Sequence, residues 1–322
     1  MKTKRSLISI IIPCYNEYDN VDPFYKSLTN AISDSSYEYE FIYVNDGSLD
    51  KTLQKLHTLA KKDRRIRILN LSRNFGKEVA TTAGIHHANG DALIIIDADG
   101  QHPAELIPAF IRKWEQGAKV VVGIRATNQN EGVVKRYGSK LFYRLFNSIA
   151  TTKLVPGTTD FRLIDRVVKH EFARMTERNR ITRGLVDWLG FKQEYIVFHA
   201  NSRIAGTAGY SFSKLFSLAL NSFVSLSLKP LYLSFYIGLV ILPASVALAF
   251  GSGLEMLLHD PLHLHITGTA YLVMLVLFLL GMVLISQGIT ALYLSHIYTE
   301  TQNRPLYIID SENSLGIGAT RP

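Results

Sequence analysis

The sequence predicts an α/β protein: one large domain on a Rossmann-like, mostly parallel sheet, followed by two transmembrane helices. Three observations carry this. Short β-branched runs alternate with longer amphipathic segments through the first 200 residues, polar clusters follow those runs, and two long C-terminal stretches contain no charged residue.

The strands come first. Leu7–Ile12, Glu40–Asn45, Ile66–Leu71, Ala92–Asp97 and Lys119–Ile124 are near-continuous apolar runs, and helix-period segments lie between them. Strands apolar on both faces belong in a parallel sheet covered by helices on each side. Ligands of such sheets bind beyond the carboxyl ends of the strands.

Those ends are chemically loaded. They read Pro13-Cys14-Tyr15-Asn16-Glu17, Asn45-Asp46-Gly47-Ser48, Ser72-Arg73-Asn74 and Asp97-Ala98-Asp99-Gly100-Gln101. One such cluster is ordinary turn chemistry; four in register describe a crevice. Asp97-x-Asp99-x-Gln101 emerges from the buried run Leu93–Ile96, and its two carboxylates and amide oxygen suit a hard divalent cation, Mg²⁺ or Mn²⁺, that completes its shell with phosphate. The competing reading has one of these aspartates capping the helix that begins near Pro103. Arg73, Lys77, Arg125, Arg136 and Arg203 supply cations for phosphates, and Asp46 and Asp160 add carboxylates near strand ends. Asp46 suits a base or a ribose contact, and Asp160 a group that acts on an acceptor or orients a sugar.

Several classes are excluded. There is no GxxxxGK phosphate loop and no GxGxxG fingerprint, which argues against an NTPase and a nicotinamide enzyme. Cys14 is the single cysteine, so no internal disulfide or cysteine zinc cluster is expected. Residues 1–230 hold 33 Lys and Arg against 22 Asp and Glu, whereas the remainder holds 2 against 5. The basic part favours anionic partners. Without a docking motif or aromatic platform, nucleic acid is not among them.

The two uncharged stretches, Leu231–Gly251 and Thr267–Leu294, each reach the roughly 20 residues needed to cross about 30 Å of hydrocarbon. Their connector, Ser252–Ile266, has no Lys or Arg, while Lys214 and Lys229 precede the first span and Arg304 follows the second. This bias puts both ends in the cytoplasm. His259, His263 and His265 in the connector read as solvated or headgroup-facing rather than as a metal site. Tyr210–Leu228 has the pattern of an in-plane interfacial helix. Leu7–Ile12 is too short for a signal-peptide core. The expected organisation is a cytoplasmic domain over 1–207, an interfacial helix over 208–230, two spans with a short outer loop over 231–298, and a cytoplasmic tail over 299–322. Gly268, Gly281 and Gly288 permit helix packing and hence a homo-oligomer.

Assembled in order, IIIPCYNE (Ile10–Glu17), VNDGSLDKT (Val44–Thr52), LSRNFGKEVA (Leu71–Ala80), IIDADGQHP (Ile95–Pro103), VVGIR (Val121–Arg125), TDFRLIDR (Thr159–Arg166) and SRIAG (Ser202–Gly206) resemble the inverting GT-A glycosyltransferases of family 2 that load polyprenyl phosphates. This is the group of dolichyl-phosphate mannose synthase and bacterial bactoprenol glucosyltransferases. The likeness covers nearly the whole chain, with IIDADGQHP and LSRNFGK its most specific pieces and Asn303–Tyr307 closing it.

The resemblance implies transfer of a hexose, glucose or N-acetylglucosamine from a UDP-sugar, onto undecaprenyl phosphate at the bacterial cytoplasmic membrane, for modification of cell-envelope glycan. It implies a nucleotide-sugar pocket formed by Pro13, Tyr15, Glu17, Asp46, Ser48, Arg73, Lys77, Asp97, Ala98 and Asp99, with the metal on Asp97, Asp99 and Gln101. Asp99, Asp160, Arg125 and Arg203 would be catalytic, and Arg136, Arg203 and Lys214 would meet the acceptor phosphate. The chain departs from the family pattern at Gly206-Thr207-Ala208-Gly209-Tyr210, which lacks an expected lysine that Lys214 could replace, at Ala291-Leu292-Tyr293, and at Asn45, where an aspartate is usual. A polysaccharide synthase fits less well because QxxRW and further spans are missing. A non-catalytic membrane scaffold would not need Asp97, Asp99 and Gln101.

Overall fold

The computed structural model describes residues 6–126, 157–178, 180–201 and 268–316, together with Pro243 and Phe250. Arg136, Arg203, Lys214, the interfacial segment, the connector histidines and nearly all of Leu231–Gly251 lie outside the described residues. The chain forms two compact units. The first comprises Met1–Asn147, Thr152–Tyr210 and Arg304–Pro322; the second comprises Ser148–Thr151 and Ser211–Asn303.

The first unit is built on seven strands: β1 (Leu7–Cys14), β2 (Glu38–Asn45), β3 (Ile66–Asn70), β4 (Ala92–Ile95), β5 (Val120–Arg125), β6 (Thr158–Asp165) and β7 (Gln193–Phe198). Their order is β3-β2-β1-β4-β6-β5-β7. β6 alone runs against its neighbours β4 and β5; the other pairings are parallel. The expected strands are all present, within a few residues at their ends, and β6 and β7 are additional.

Among the described residues six helices cover the sheet: α1 (Val21–Ala31), α2 (Thr52–Lys62), α3 (Lys77–His87), α4 (Ile107–Glu115), α5 (Arg166–Ala173) and α6 (Thr182–Trp188). Alternation along the strands decides the faces. Ile8, Ile10 and Ile12 of β1 join Phe24, Leu28, Leu56 and Phe110 of α1, α2 and α4 in one core. Ile11 joins Ala80, Ala83, Val168, Phe172 and Val186 of α3, α5 and α6 in the other. α3 sits close because Gly84 faces the sheet, where a Cβ would stand 2.3 Å from Ile11 Cγ2.

The strand order reverses between β1, which has β2 on one side, and β4 on the other. At such a switch point successive connections leave to opposite sides and open a crevice at the carboxyl ends. The antiparallel β6 adds to it, because its first residues, not its last, arrive at that edge.

Beyond Arg304 the chain returns to this unit. Ile309 and Leu315 make antiparallel bridges to Leu71 and Ile68, so the tail lies along β3, the outer strand of the sheet. Pairing there covers an otherwise open row of backbone donors and acceptors.

The second unit contains α7 (Gly268–Thr301), 34 residues long. Its stretch Tyr271–Thr301 is long and apolar enough to cross a membrane. It extends seven residues past the expected end at Leu294, because Ser295, His296 and Tyr298 carry no helix breaker. Among the described residues it is the one such helix, so the expectation of two transmembrane helices narrows here to one.

Candidate active site

The crevice is assembled from loops that brace one another. After β2, Asp46 is 3% exposed, and its carboxylate oxygens accept from the N–H groups of Phe75 at 2.8 Å and Gly76 at 2.9 Å. Burial raises its pKa, and these N–H groups and Arg73 recover only part of that. Asp46 therefore holds the loop ahead of α3. Gly47 makes the approach possible: its φ is +63°, and a Cβ would lie 2.4 Å from the carbonyl carbon of Arg73. The Arg73 guanidinium in turn lies 4.1 Å over the Phe75 ring.

The loop after β1 is fixed to the loop after β2. Asn16 adopts a φ of 55°, its N–H donates to Ser48 Oγ at 3.0 Å, and its side-chain oxygen accepts from Leu49 N at 2.8 Å. Glu17 N donates to Thr52 Oγ1 at 2.9 Å. Tyr15 is left 42% exposed beside this loop, a surface on which a flat ring could stack.

The charged centre lies beyond β4 and β6. Lys77 Nζ, on the first turn of α3, is 2.7 Å from Asp97 Oδ1 and 2.8 Å from Asp160 Oδ2. Burial works against the Lys77 ammonium, but the two carboxylates outweigh it and raise its pKa. Burial would likewise raise Asp160; instead Lys77, Arg162 and Arg183 hold it well below the ordinary carboxylate range. Asp160 is thus an ion at neutral pH and a weak base.

Lys77 contributes most to this, and Arg162 adds to it. Two residues along β6 from Asp160, on the same face, it is 1% exposed, 3.7 Å from Asp187 and donates to the Thr159 carbonyl at 3.2 Å. Glu78 accepts from Thr182 N at 2.8 Å and ties α3 to α6. Neither Arg162 nor Glu78 was among the expected site residues; the spacing of Arg162 from Asp160 was the available signal.

Asp99 turns back on its own loop, accepting from Gln101 N at 3.0 Å, while Gly100 takes a φ of +75°. His102, also unexpected, is 8% exposed, stacks on Phe161 at 5.3 Å and stands 3.7 Å from Asp97. Burial, assisted by Lys77, lowers its pKa and favours the neutral ring. Ala98, between the two aspartates in sequence, is 2% exposed and packs within the core. Pro13 is likewise buried within β1. Arg125 ends β5 with its side chain exposed, its N–H donating to the Gly157 carbonyl at 2.8 Å.

These donors fit a divalent cation of one kind. Among the described residues no group of three His, Cys, Asp or Glu could enclose an ion. Asp97 and Asp99 with the Gln101 amide instead suit a cation that takes one or two protein carboxylates and shares the rest of its shell with phosphate and water. The crevice thus brings an ammonium, ionised carboxylates and an amide together at the strand ends, an arrangement suited to a cation and an anionic ligand.

The family model described as glycosyl transferase family 2 matches residues 9–172. The chain is 40% identical over 302 residues to an uncharacterized glycosyltransferase of Synechocystis sp., covering 94% of each. It is 39% identical over 303 residues to a prophage bactoprenol glucosyl transferase homolog of Escherichia coli, covering 94% of this chain and 98% of that one. Against the bactoprenol glucosyl transferase of Shigella phage SfV it is 36% identical over 308 residues, 95% and 98% of the two chains. Among solved structures, mannosyl-3-phosphoglycerate synthase from Rubrobacter xylanophilus aligns with 67% of this chain and 71% of its own, at a TM-score of 0.49 and 15% identity.

Proposed function

The chain belongs to glycosyl transferase family 2, and from that premise we propose that it moves glucose from a nucleoside-diphosphate sugar to polyprenyl phosphate, giving a lipid-linked monosaccharide with inverted anomeric configuration. The observation that carries this reading is the near end-to-end match to bactoprenol glucosyl transferases. The Lys77, Asp97 and Asp160 constellation at the switch-point crevice supports it.

On this reading the nucleotide lies against Tyr15, Glu17 and Ser48, with Asp46 holding the adjoining loop in place. Asp97, Asp99 and Gln101 would hold Mg²⁺ or Mn²⁺, which when bound would supply positive charge to neutralise the diphosphate. Arg73 and Arg125, with Arg136, Arg203 and Lys214, are the cations for donor and acceptor phosphates.

The chemistry is a single in-line displacement. An oxygen of the lipid phosphate forms a bond to the anomeric carbon as the bond to the nucleoside diphosphate breaks and its electron pair leaves with the diphosphate. The acceptor is already ionised, so no strong base is required, and positioning and electrostatics dominate. Asp160, held ionised, stabilises positive charge developing at the anomeric carbon. Lys77 keeps it aimed and lies beside Asp97 on the leaving-group side.

The membrane arrangement follows the same reasoning. α7 is long and apolar enough to span the bilayer, and the tail after it pairs with β3 of the first unit. If α7 crosses, a return to that unit requires a second crossing, which supports Leu231–Gly251 as the other span. The lack of Lys and Arg in the connector supports a cytoplasmic catalytic unit.

The test is to incubate detergent-purified protein with Mg²⁺ or Mn²⁺, undecaprenyl phosphate and a panel of UDP- and GDP-sugars. Mass analysis of the lipid phase should find hexosyl phospholipid from UDP-glucose. Nucleotide release without a lipid product would assign a different acceptor.

A further inference from the structure

The tail after α7 contacts the end of β3 through side chains as well as backbone. Asn70, the last residue of β3, is 6% exposed, and its Nδ2 donates to Asp310 Oδ2 at 3.0 Å. Its Oδ1 accepts from Asn45 Nδ2 at 2.7 Å, and Asn45 is 1% exposed at the end of β2. Asn45 Oδ1 accepts from Ser48 Oγ at 2.5 Å, and Ser48 Oγ accepts from Asn16 N at 3.0 Å.

The donors in this series all point one way, from the loop after β1 towards the tail. An ionised carboxylate can only accept. Asp310 therefore obliges Asn70 to present its amide nitrogen outward and its oxygen to Asn45. That turns the Asn45 oxygen to Ser48, orients the Ser48 proton, and leaves a Ser48 lone pair for Asn16 N–H. Aligned chains of this kind also polarise and strengthen one another at low dielectric.

Backbone pairing holds Asp310 in place. Its N–H donates to the Asn70 carbonyl at 2.8 Å, Asn70 N donates to Ser314 Oγ at 2.9 Å, and Ser72 N donates to the Ile308 carbonyl at 2.9 Å.

We propose that Asp310 is a positioning residue for the nucleotide: it sets the polarity of the Asn70, Asn45 and Ser48 chain and so holds the loop of Tyr15, Asn16 and Glu17 in its binding shape. This rests on the reading that the nucleotide lies against that loop. It gives the segment after the membrane helix a role in donor affinity, although that segment is more than 250 residues from the loop in sequence.

The experiment uses the full chain in detergent and compares wild type, Asp310→Asn, the double variant Asn70→Asp with Asp310→Asn, and Tyr15→Ala. It measures the Kd of UDP with Mn²⁺, KM and kcat for UDP-glucose, and melting temperature. Asp310→Asn should raise Kd and KM about fivefold, the worth of one ordinary hydrogen bond, with kcat within about twofold. The double variant returns an acceptor-only carboxylate to face Asn45 and should restore most of the affinity, which a merely structural loss would not do. Unchanged Kd in Asp310→Asn, beside weakened binding in Tyr15→Ala, overturns the role of Asp310 and leaves the pocket standing. Unchanged Kd in Tyr15→Ala overturns the pocket reading and this proposal with it. Failure of the double variant to recover affinity, or parallel losses of kcat and melting temperature, also overturns it.

Discussion

Lys77 Nζ lies 2.8 Å from Asp160 Oδ2, so an ammonium on the first turn of α3 is paired with a carboxylate delivered by the one strand that runs against the sheet. The same ammonium contacts Asp97 beyond β4. The arrangement concentrates charge where the diphosphate and the reacting carbon are proposed to meet.

Replacing Lys77 with Met leaves Asp97 and Asp160 facing each other without their shared cation. We expect kcat to fall about 100-fold or more, in line with loss of a preorganised electrostatic group. Folding stability should change by no more than about 1 kcal/mol, because the Lys77 side chain is 43% exposed and solvent screens the pair. Single-turnover kinetics beside a thermal melt separate the two effects; equal loss of fold and activity would contradict the role.

Asp97→Ala should reduce turnover far more than nucleotide affinity, because charge on the leaving diphosphate is greatest in the transition state. A kcat loss of about 100-fold or more with a Kd change under about fivefold is the expected pattern. Matched losses in the two quantities would count against it.

Most strands and the four polar strand ends were legible because a buried parallel strand writes an almost unbroken apolar run. β6 was not, since Asp160, Arg162 and Asp165 interrupt its run, and Arg162 is a charge buried at 1% exposure by pairing with Asp187. His102 was hidden for a related reason: the Phe161 ring on which it stacks is delivered by β6, far along the sequence, and no local spacing records that. The Asp310 contact likewise joins residues brought together only by tertiary structure. The burial of Asp46 and Ala98 was not legible either, because local sequence does not record which atoms of a strand-end loop face inward.

Gly47→Ala tests the loop packing. A methyl group there would meet the Arg73 backbone at 2.4 Å from a φ of +63°, a combination that costs about 1 to 3 kcal/mol. The Asp46 contacts to Phe75 and Gly76 should loosen, and nucleotide affinity should fall with the melting temperature. Wild-type affinity in this variant would contradict the bracing role of the loop.

His86 gives a pH signature of stability. Burial, assisted by Arg180, His87 and Lys169, lowers its pKa from 6.5 to about 4, and its Nδ1 lies 3.1 Å from Tyr307 Oη of the tail. Between those values the unfolded chain binds a proton that the folded chain does not. The stabilisation is therefore complete above about pH 6.5 and is lost as pH falls towards 4, by about 3 kcal/mol. His86→Gln should flatten the melting-temperature profile across that window; parallel profiles would contradict the assignment.

The most direct measurement is the anomeric configuration of the lipid product, read by proton NMR after transfer from α-linked UDP-glucose to undecaprenyl phosphate. A β-linked glucosyl phosphate that disappears in Asp99→Ala is the predicted result. An α-linked product would contradict the single in-line displacement at this crevice.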